Sequence, residues 1–121
     1  MNVSDCYYAR LETINDNRGS FQKFFHEDVF HDIMPGFKLG EAYITSSSKN
    51  VLRGMHFQLP PHDHSKVVIC LSGKVTDVLL DLRPGLNFGK FASIDLTPNK
   101  NNVVVIPKGV AHGFYANCDN S

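Results

Sequence analysis

Residues 51–66 read V-L-R-G-M-H-F-Q-L-P-P-H-D-H-S-K and gather one arginine, three histidines and one lysine around a Pro-Pro turn. His56 lies between Met55 and Phe57 in a strand-like pattern. Apolar neighbours favour a neutral imidazole, able to accept a proton near neutral pH. A lone histidine in a strand is more often packed or surface-exposed than basic in function, but Lys66 shifts that weighting. It follows a turn that could fold it back beside His56. A base next to a fixed cation suits abstraction of a proton α to a carbonyl: the base takes the proton and the cation stabilises the developing enolate oxygen. Arg53 precedes His56 by three positions, so an extended strand sends the two side chains to opposite faces. From spacing alone Arg53 reads as an ordinary surface arginine, although a twisted strand or a wrapped cavity would let it hold a phosphate bidentately.

His62 and His64 form H-x-H, and residues 107–112 (P-K-G-V-A-H) add P-x-G-x-x-H ending at His112. Both are partial motifs of metal-binding cupins, in which three imidazoles and a carboxylate hold the ion. The zone where that carboxylate is expected reads Lys66-Val67-Val68-Ile69, a cation and three aliphatics, which are poor ligands. A proline-rich loop with exposed histidines is therefore the favoured reading for His62 and His64, and no metal or other cofactor is expected.

These groups need a scaffold of strands. Residues 7–14 alternate, residues 15–20 (N-D-N-R-G-S) interrupt with turn formers, and residues 21–25 resume a strand. Residues 26–34 suit one short helix before Pro35-Gly36. Further strands are expected at 38–45, 51–57, 67–71, 75–82, 91–96 and 103–106, with Gly73, Pro84-Gly85, Pro98-Asn99 and Pro107 punctuating them. This spacing predicts one all-β domain over residues 1–121, a sandwich or barrel. In residues 73–83 (G-K-V-T-D-V-L-L-D-L-R) alternation lets Asp77 or Asp81 face a barrel interior. A solvated face is the more common outcome unless a cation lies opposite.

The chain of 121 residues carries twelve basic and twelve acidic side chains, so no net field draws it to nucleic acid or an anionic membrane. Any anion must be held by local arginines and lysines. The N-terminus lacks a secretory layout and no apolar run approaches spanning length. Cys6, Cys70 and Cys118 are odd in number and widely spaced, which fits reduced thiols in the cytoplasm.

With these residues laid out, the chain resembles the dTDP-4-dehydrorhamnose 3,5-epimerase family. D-N-R-G-S-F (16–21) is similar to the family's D-x-R-G-x-F, and V-L-R-G-M-H-F-Q to V-L-R-G-L-H-[FY]-Q with its lysine at the offset of Lys66. Residues 73–83 resemble G-x-V-x-D-V-x-V-D-[LI]-R followed by F-G-K, and I-P-K-G-V-A-H-G-F resembles I-P-x-G-x-A-H-G-F. The resemblance implies a metal-independent cupin-type jelly roll. It implies epimerisation at C3, C5 or both of a nucleotide-linked 4-keto-6-deoxyhexose, in deoxysugar and polysaccharide synthesis. His56 would be the general base and Lys66 the enolate stabiliser. Arg18, Phe21, Arg53, Gln58 and His112 would bind substrate, the two arginines at the diphosphate. Family members are usually homodimers that exchange N-terminal strands, so Arg18 would serve the partner's site.

The chain ends at Ser121, ahead of the family's tyrosine donor, a second stacking aromatic and the aspartate that pairs with the catalytic histidine. A jelly roll incomplete at its C-terminus is therefore expected. Tyr115 does not match the donor's position. Lys23 stands where the family has a glutamate, and Glu41 and Tyr43 replace the glutamine and asparagine of a Q-x-N segment. Alternatives within reach are a non-catalytic nucleotide-sugar-binding relative, a sugar 3,4-ketoisomerase and a metal cupin.

Overall fold

In the computed structural model, which describes residues 3–121, the chain forms two compact units: Leu11–Thr45, and the N-terminal stretch to Arg10 together with Ser46–Ser121. No helix among the described residues is long and apolar enough to cross a membrane.

The larger unit has two antiparallel sheets. One orders β1 (Tyr7–Ala9), β8 (Val103–Ile106) and β5 (Lys66–Ile69), with β8 in the middle. The other orders β4 (Leu52–His56), β9 (Val110–Ala116), β6 (Val75–Asp81) and β7 (Phe91–Leu96). Val104 and Ile106 of the first sheet pack in one core with Val75, Leu79, Leu96 and Val110 of the second. β6 shows why the chain folds this way: Val75, Asp77, Leu79 and Asp81 are buried while Thr76, Val78 and Leu80 are half-buried, the period-two alternation of a strand with one face on the core. Cys6, Cys70 and Cys118 are free thiols.

The smaller unit holds the hairpin β2 (Thr13–Asp16) and β3 (Gly19–Gln22), followed by the helix α1 (Glu27–Ile33). Asn17 and Arg18 make the turn, closed by the Arg18 N–H donating to Asp16 Oδ1 at 2.8 Å. α1 begins with Glu27 and Asp28, whose negative charge complements the N-terminal end of the helix dipole. Its buried Phe30 packs on Phe25 and Phe37, with ring centroids 5.0 and 5.4 Å apart.

The all-β class and the short helix match the sequence reading, and five strands lie where alternation put them. Four expectations need correction. The strand expected over 21–25 runs as β3 over Gly19–Gln22, so of the expected turn at 15–20 only Asn17 and Arg18 lie outside the ladder. Residues 38–45 join no ladder, despite their apolar alternation. The strand expected over 7–14 is interrupted at residues 10–12, because β1 pairs with β8 and β2 turns into the hairpin. Residues 106–114 stand out in the sequence as a motif rather than a strand, yet Val110–Ala116 form β9, the strand that joins β4 to β6.

Candidate active site

β4 lies at the edge of the four-stranded sheet and pairs with β9, with His56 directly opposite His112 and Arg53 opposite Phe114. Three steps along β4 thus match two along β9, which is a bulge. Directly paired residues share a face, and His112 and Phe114 share one by alternation. The extra residue therefore brings Arg53 and His56 to the same face, correcting the opposite faces that uninterrupted spacing implies. Two glycines permit the close crossing. A methyl on Gly54 (φ +107°) would lie 2.7 Å from the Gly113 Cα, and one on Gly113 would lie 2.8 Å from the Arg53 carbonyl oxygen. Neither position has room for a side chain.

On that face His112 Nδ1 lies 3.2 Å from Asp77 Oδ2. Leu79 is the direct partner of His112 across β6, so Asp77, two residues back, reaches the imidazole diagonally. Asp77 is 0% exposed, and its Oδ1 has no hydrogen-bond partner among the described residues. Burial pushes the carboxyl above the ordinary range, and His112 partly offsets it. The His112 side chain is 14% exposed and His56 is exposed at the sheet edge.

Lys66 opens β5 in the other sheet. It pairs with Ile106, and Val68 pairs with Val104, so Lys66 shares the face of these core residues and projects between the sheets. Burial lowers its pKa from the ordinary lysine value. Lys66 is thus not folded back beside His56 in one hairpin, as the turn suggested. β5 pairs with β8, and the lysine approaches the interior from the opposite sheet.

Arg53 is anchored by serines that the sequence reading did not single out. Its Nε donates to Ser47 Oγ at 3.0 Å, and its terminal nitrogen to the Ser46 carbonyl at 3.4 Å. Ser47 is itself buried. Gln58 is half-buried just beyond β4. Tyr115 alternates to the other face of β9, where its hydroxyl donates to Asn50 Oδ1.

Arg18 and Phe21 belong to the smaller unit. There they line an open hollow of about 410 Å3 with Ile14, Asp16, Gly19 and Ser20. Arg18 grips Asp16 through Nε at 3.1 Å and holds that exposed carboxyl below its ordinary range. A second hollow, about 610 Å3 and lined by residues such as Tyr8, Ile94 and Lys100, contains none of the candidate residues. His62 and His64 lie exposed in a loop, where His64 Nδ1 is 3.1 Å from the His62 carbonyl. Among the described residues no three His, Cys, Asp or Glu side chains are grouped to hold a metal ion.

The arrangement can present two imidazoles side by side on one sheet, one backed by a buried carboxylate, while the other sheet carries a partly desolvated amine on its core-facing side. The Asp77–His112 pair is the feature that sequence reasoning approached only conditionally. The available signal was D-V-L-L-D, which puts both aspartates on one face of β6, together with the histidine of A-H-G-F as the needed cation.

The sequence profile described as dTDP-4-dehydrorhamnose 3,5-epimerase matches residues 1–121. A protein of that name from Escherichia coli (strain K12) is 36% identical over 115 residues, covering 93% of this chain and 62% of the relative. The crystal structure of the dTDP-4-dehydrorhamnose 3,5-epimerase from Sulfolobus tokodaii superposes with a TM-score of 0.89 at 28% identity, over 97% of this chain and 66% of that one. The dTDP-6-deoxy-D-glucose-3,5-epimerase of Legionella pneumophila Philadelphia 1, solved in complex with dTDP-4-keto-L-rhamnose, superposes at 0.79 with 26% identity, over 99% and 64%. The chain spans less than two thirds of the length of each of these relatives.

Proposed function

Because the chain belongs to the dTDP-4-dehydrorhamnose 3,5-epimerase family, we propose that it acts on a nucleoside-diphosphate 4-keto-6-deoxyhexose, exchanging the proton at C3, C5 or both. His56 takes the proton next to the C4 ketone. The C–H electron pair moves into the ring, and the ketone oxygen gains the charge. Lys66, approaching from the facing sheet, stabilises that oxygen, and a proton delivered from water to the opposite face inverts the carbon, while His56 releases the proton it took to solvent. His112 contacts the sugar. Arg53 holds the diphosphate with its fork oriented by Ser47, and Gln58 adds a further substrate contact. Arg18 and Phe21 contribute to the substrate site of a second copy in a homodimer that exchanges N-terminal strands. No cofactor takes part in this scheme.

The observation that carries this reading is the pairing of His56 with His112 on one face of the sheet, with Lys66 entering the interior from the other sheet. The test is proton NMR of a nucleotide-linked 4-keto-6-deoxyglucose incubated with the protein in D2O, beside His56→Ala. The expected outcome is loss of the C3 or C5 proton signal, slowed at least ~100-fold in the variant, as for removal of a general base. Absence of exchange at both carbons with folded protein would overturn the catalytic reading for that substrate. Retained binding of the nucleotide sugar by calorimetry would then identify a non-catalytic binding relative.

A further inference from the structure

The carboxylate behind His112 has no obvious structural reason to be there. Asp77 occupies an interior position flanked on its strand face by Val75 and Leu79, both buried. Its only hydrogen-bond partner among the described residues is a histidine, and Oδ1 is left unpaired. An apolar side chain at such a position avoids both the desolvation and the unmet acceptor. What a carboxylate does there, and an apolar residue cannot, is grip one nitrogen of the imidazole.

We propose that Asp77 is a positioning residue for His112: it holds the ring at Nδ1 and makes Nε2 the nitrogen presented to the substrate. The contact at 3.2 Å is diagonal across β6 and β9, so the register of two paired strands sets it. A neutral imidazole can carry its proton on either nitrogen, and an acceptor at one of them selects the tautomer. Among the other titratable groups, His56 lies directly across from His112 on β4, and the buried Cys6 thiol lies near enough to Asp77 to feel its charge. The facing strand β8 brings only valines and Ile106. The group within hydrogen-bond distance of Nδ1 is Asp77, which places it to fix the ring.

This inference rests on the proposed reaction for its consequence, but its direct test needs no substrate. The ring nitrogens of His112 are read by long-range nitrogen–proton NMR in the wild type, Asp77→Asn and Asp77→Leu. The leucine variant fills the site with an apolar side chain, which suits its neighbours and favours folding, and the asparagine keeps the shape but adds an amide donor. At a pH where the ring is neutral, the expected result is protonation at Nδ1 in the wild type, shifted toward Nε2 in Asp77→Leu and in Asp77→Asn, whose amide N–H can donate to Nδ1. Proton exchange on the nucleotide sugar should fall at least about 10–100-fold in kcat in both variants, as when a carboxylate behind a functional imidazole is lost. Identical nitrogen spectra in all three folded proteins, or an Nε2-protonated ring in the wild type, would overturn the inference. Absence of exchange in a wild type whose His112 shows the expected tautomer would instead overturn the reaction and leave the positioning intact.

Discussion

Asp77 and Asp81 stand on the same strand and the same face, and both are 0% exposed, yet their surroundings are opposite. Asp81 is saturated. Both of its oxygens take the Arg83 guanidinium, at 2.9 and 2.6 Å, and Oδ1 also accepts the Arg83 backbone N–H. The same guanidinium reaches Asp5 and the Ser4 carbonyl, tying the N-terminal stretch to the end of β6. Asp77, mid-strand among apolar side chains, has one histidine and one unmet oxygen. The carboxyl of Asp81 is held below the ordinary range by Arg83, while burial pushes that of Asp77 above it. The difference separates a carboxylate that staples the fold from one whose local energetics are unfavourable and whose role must lie in what it does to His112.

The largest effect that would sharpen this contrast is expected from Arg83→Ala. It leaves the Asp81 charge uncompensated and removes the guanidinium contacts to Ser4 and Asp5, and should cost about 3 kcal/mol in urea denaturation. That is the low end for a buried pair, because Asp81 lies at the strand end, shielded mainly by Arg83 itself, and water can reach it once the arginine is gone. A loss below about 1 kcal/mol, the scale of a surface pair, would break the distinction.

A smaller effect is expected from Asp77→Leu, which should change stability by no more than about 1 kcal/mol, in the stabilising direction if the leucine packs without strain. A large destabilisation would place Asp77 with Asp81 as a structural carboxylate.

The sequence made one half of this contrast more legible than the other. Asp81 and Arg83 are two residues apart, so the cation that an inward-facing Asp81 requires lies within the same short stretch. The partner of Asp77 is thirty-five positions away, and finding it requires the register of β6 against β9. The same limit explains the other departures. Gly54 was visible in R-G-M-H, but only its close approach to Gly113 shows why the chain bulges there and why Arg53 and His56 share a face. Lys66 was legible as a cation near the histidines, whereas strand spacing could not say which sheet would carry it. Local turn chemistry was easier to read. The polar run over residues 15–20 marked the hairpin, and Pro35-Gly36 marked the end of the helical stretch. The apolar alternation of residues 38–45 had no structural sequel, because a strand needs a partner that alternation does not supply.

The smallest effect concerns the pH dependence of folding, where the two aspartates should act with opposite sign. An unfolded aspartate titrates near 3.9. The folded pKa of Asp81 lies lower, so its contribution to stability is complete above about pH 3.9 and is lost as the pH falls through the folded value. The folded pKa of Asp77 lies higher, so the folded chain favours the protonated acid. That contribution is complete below about pH 3.9 and is lost as the pH rises through the folded value. Urea denaturation from pH 3 to pH 7 should therefore separate the two. Asp81→Asn should flatten the acid limb, below about pH 3.9, and leave the upper limb as in the wild type. Asp77→Asn should do the reverse, removing a decline in stability above about pH 3.9. If both variants altered the same limb, burial would not be the dominant influence on Asp77. Its contact with His112 would then be an ordinary ion pair, stabilising in its own right.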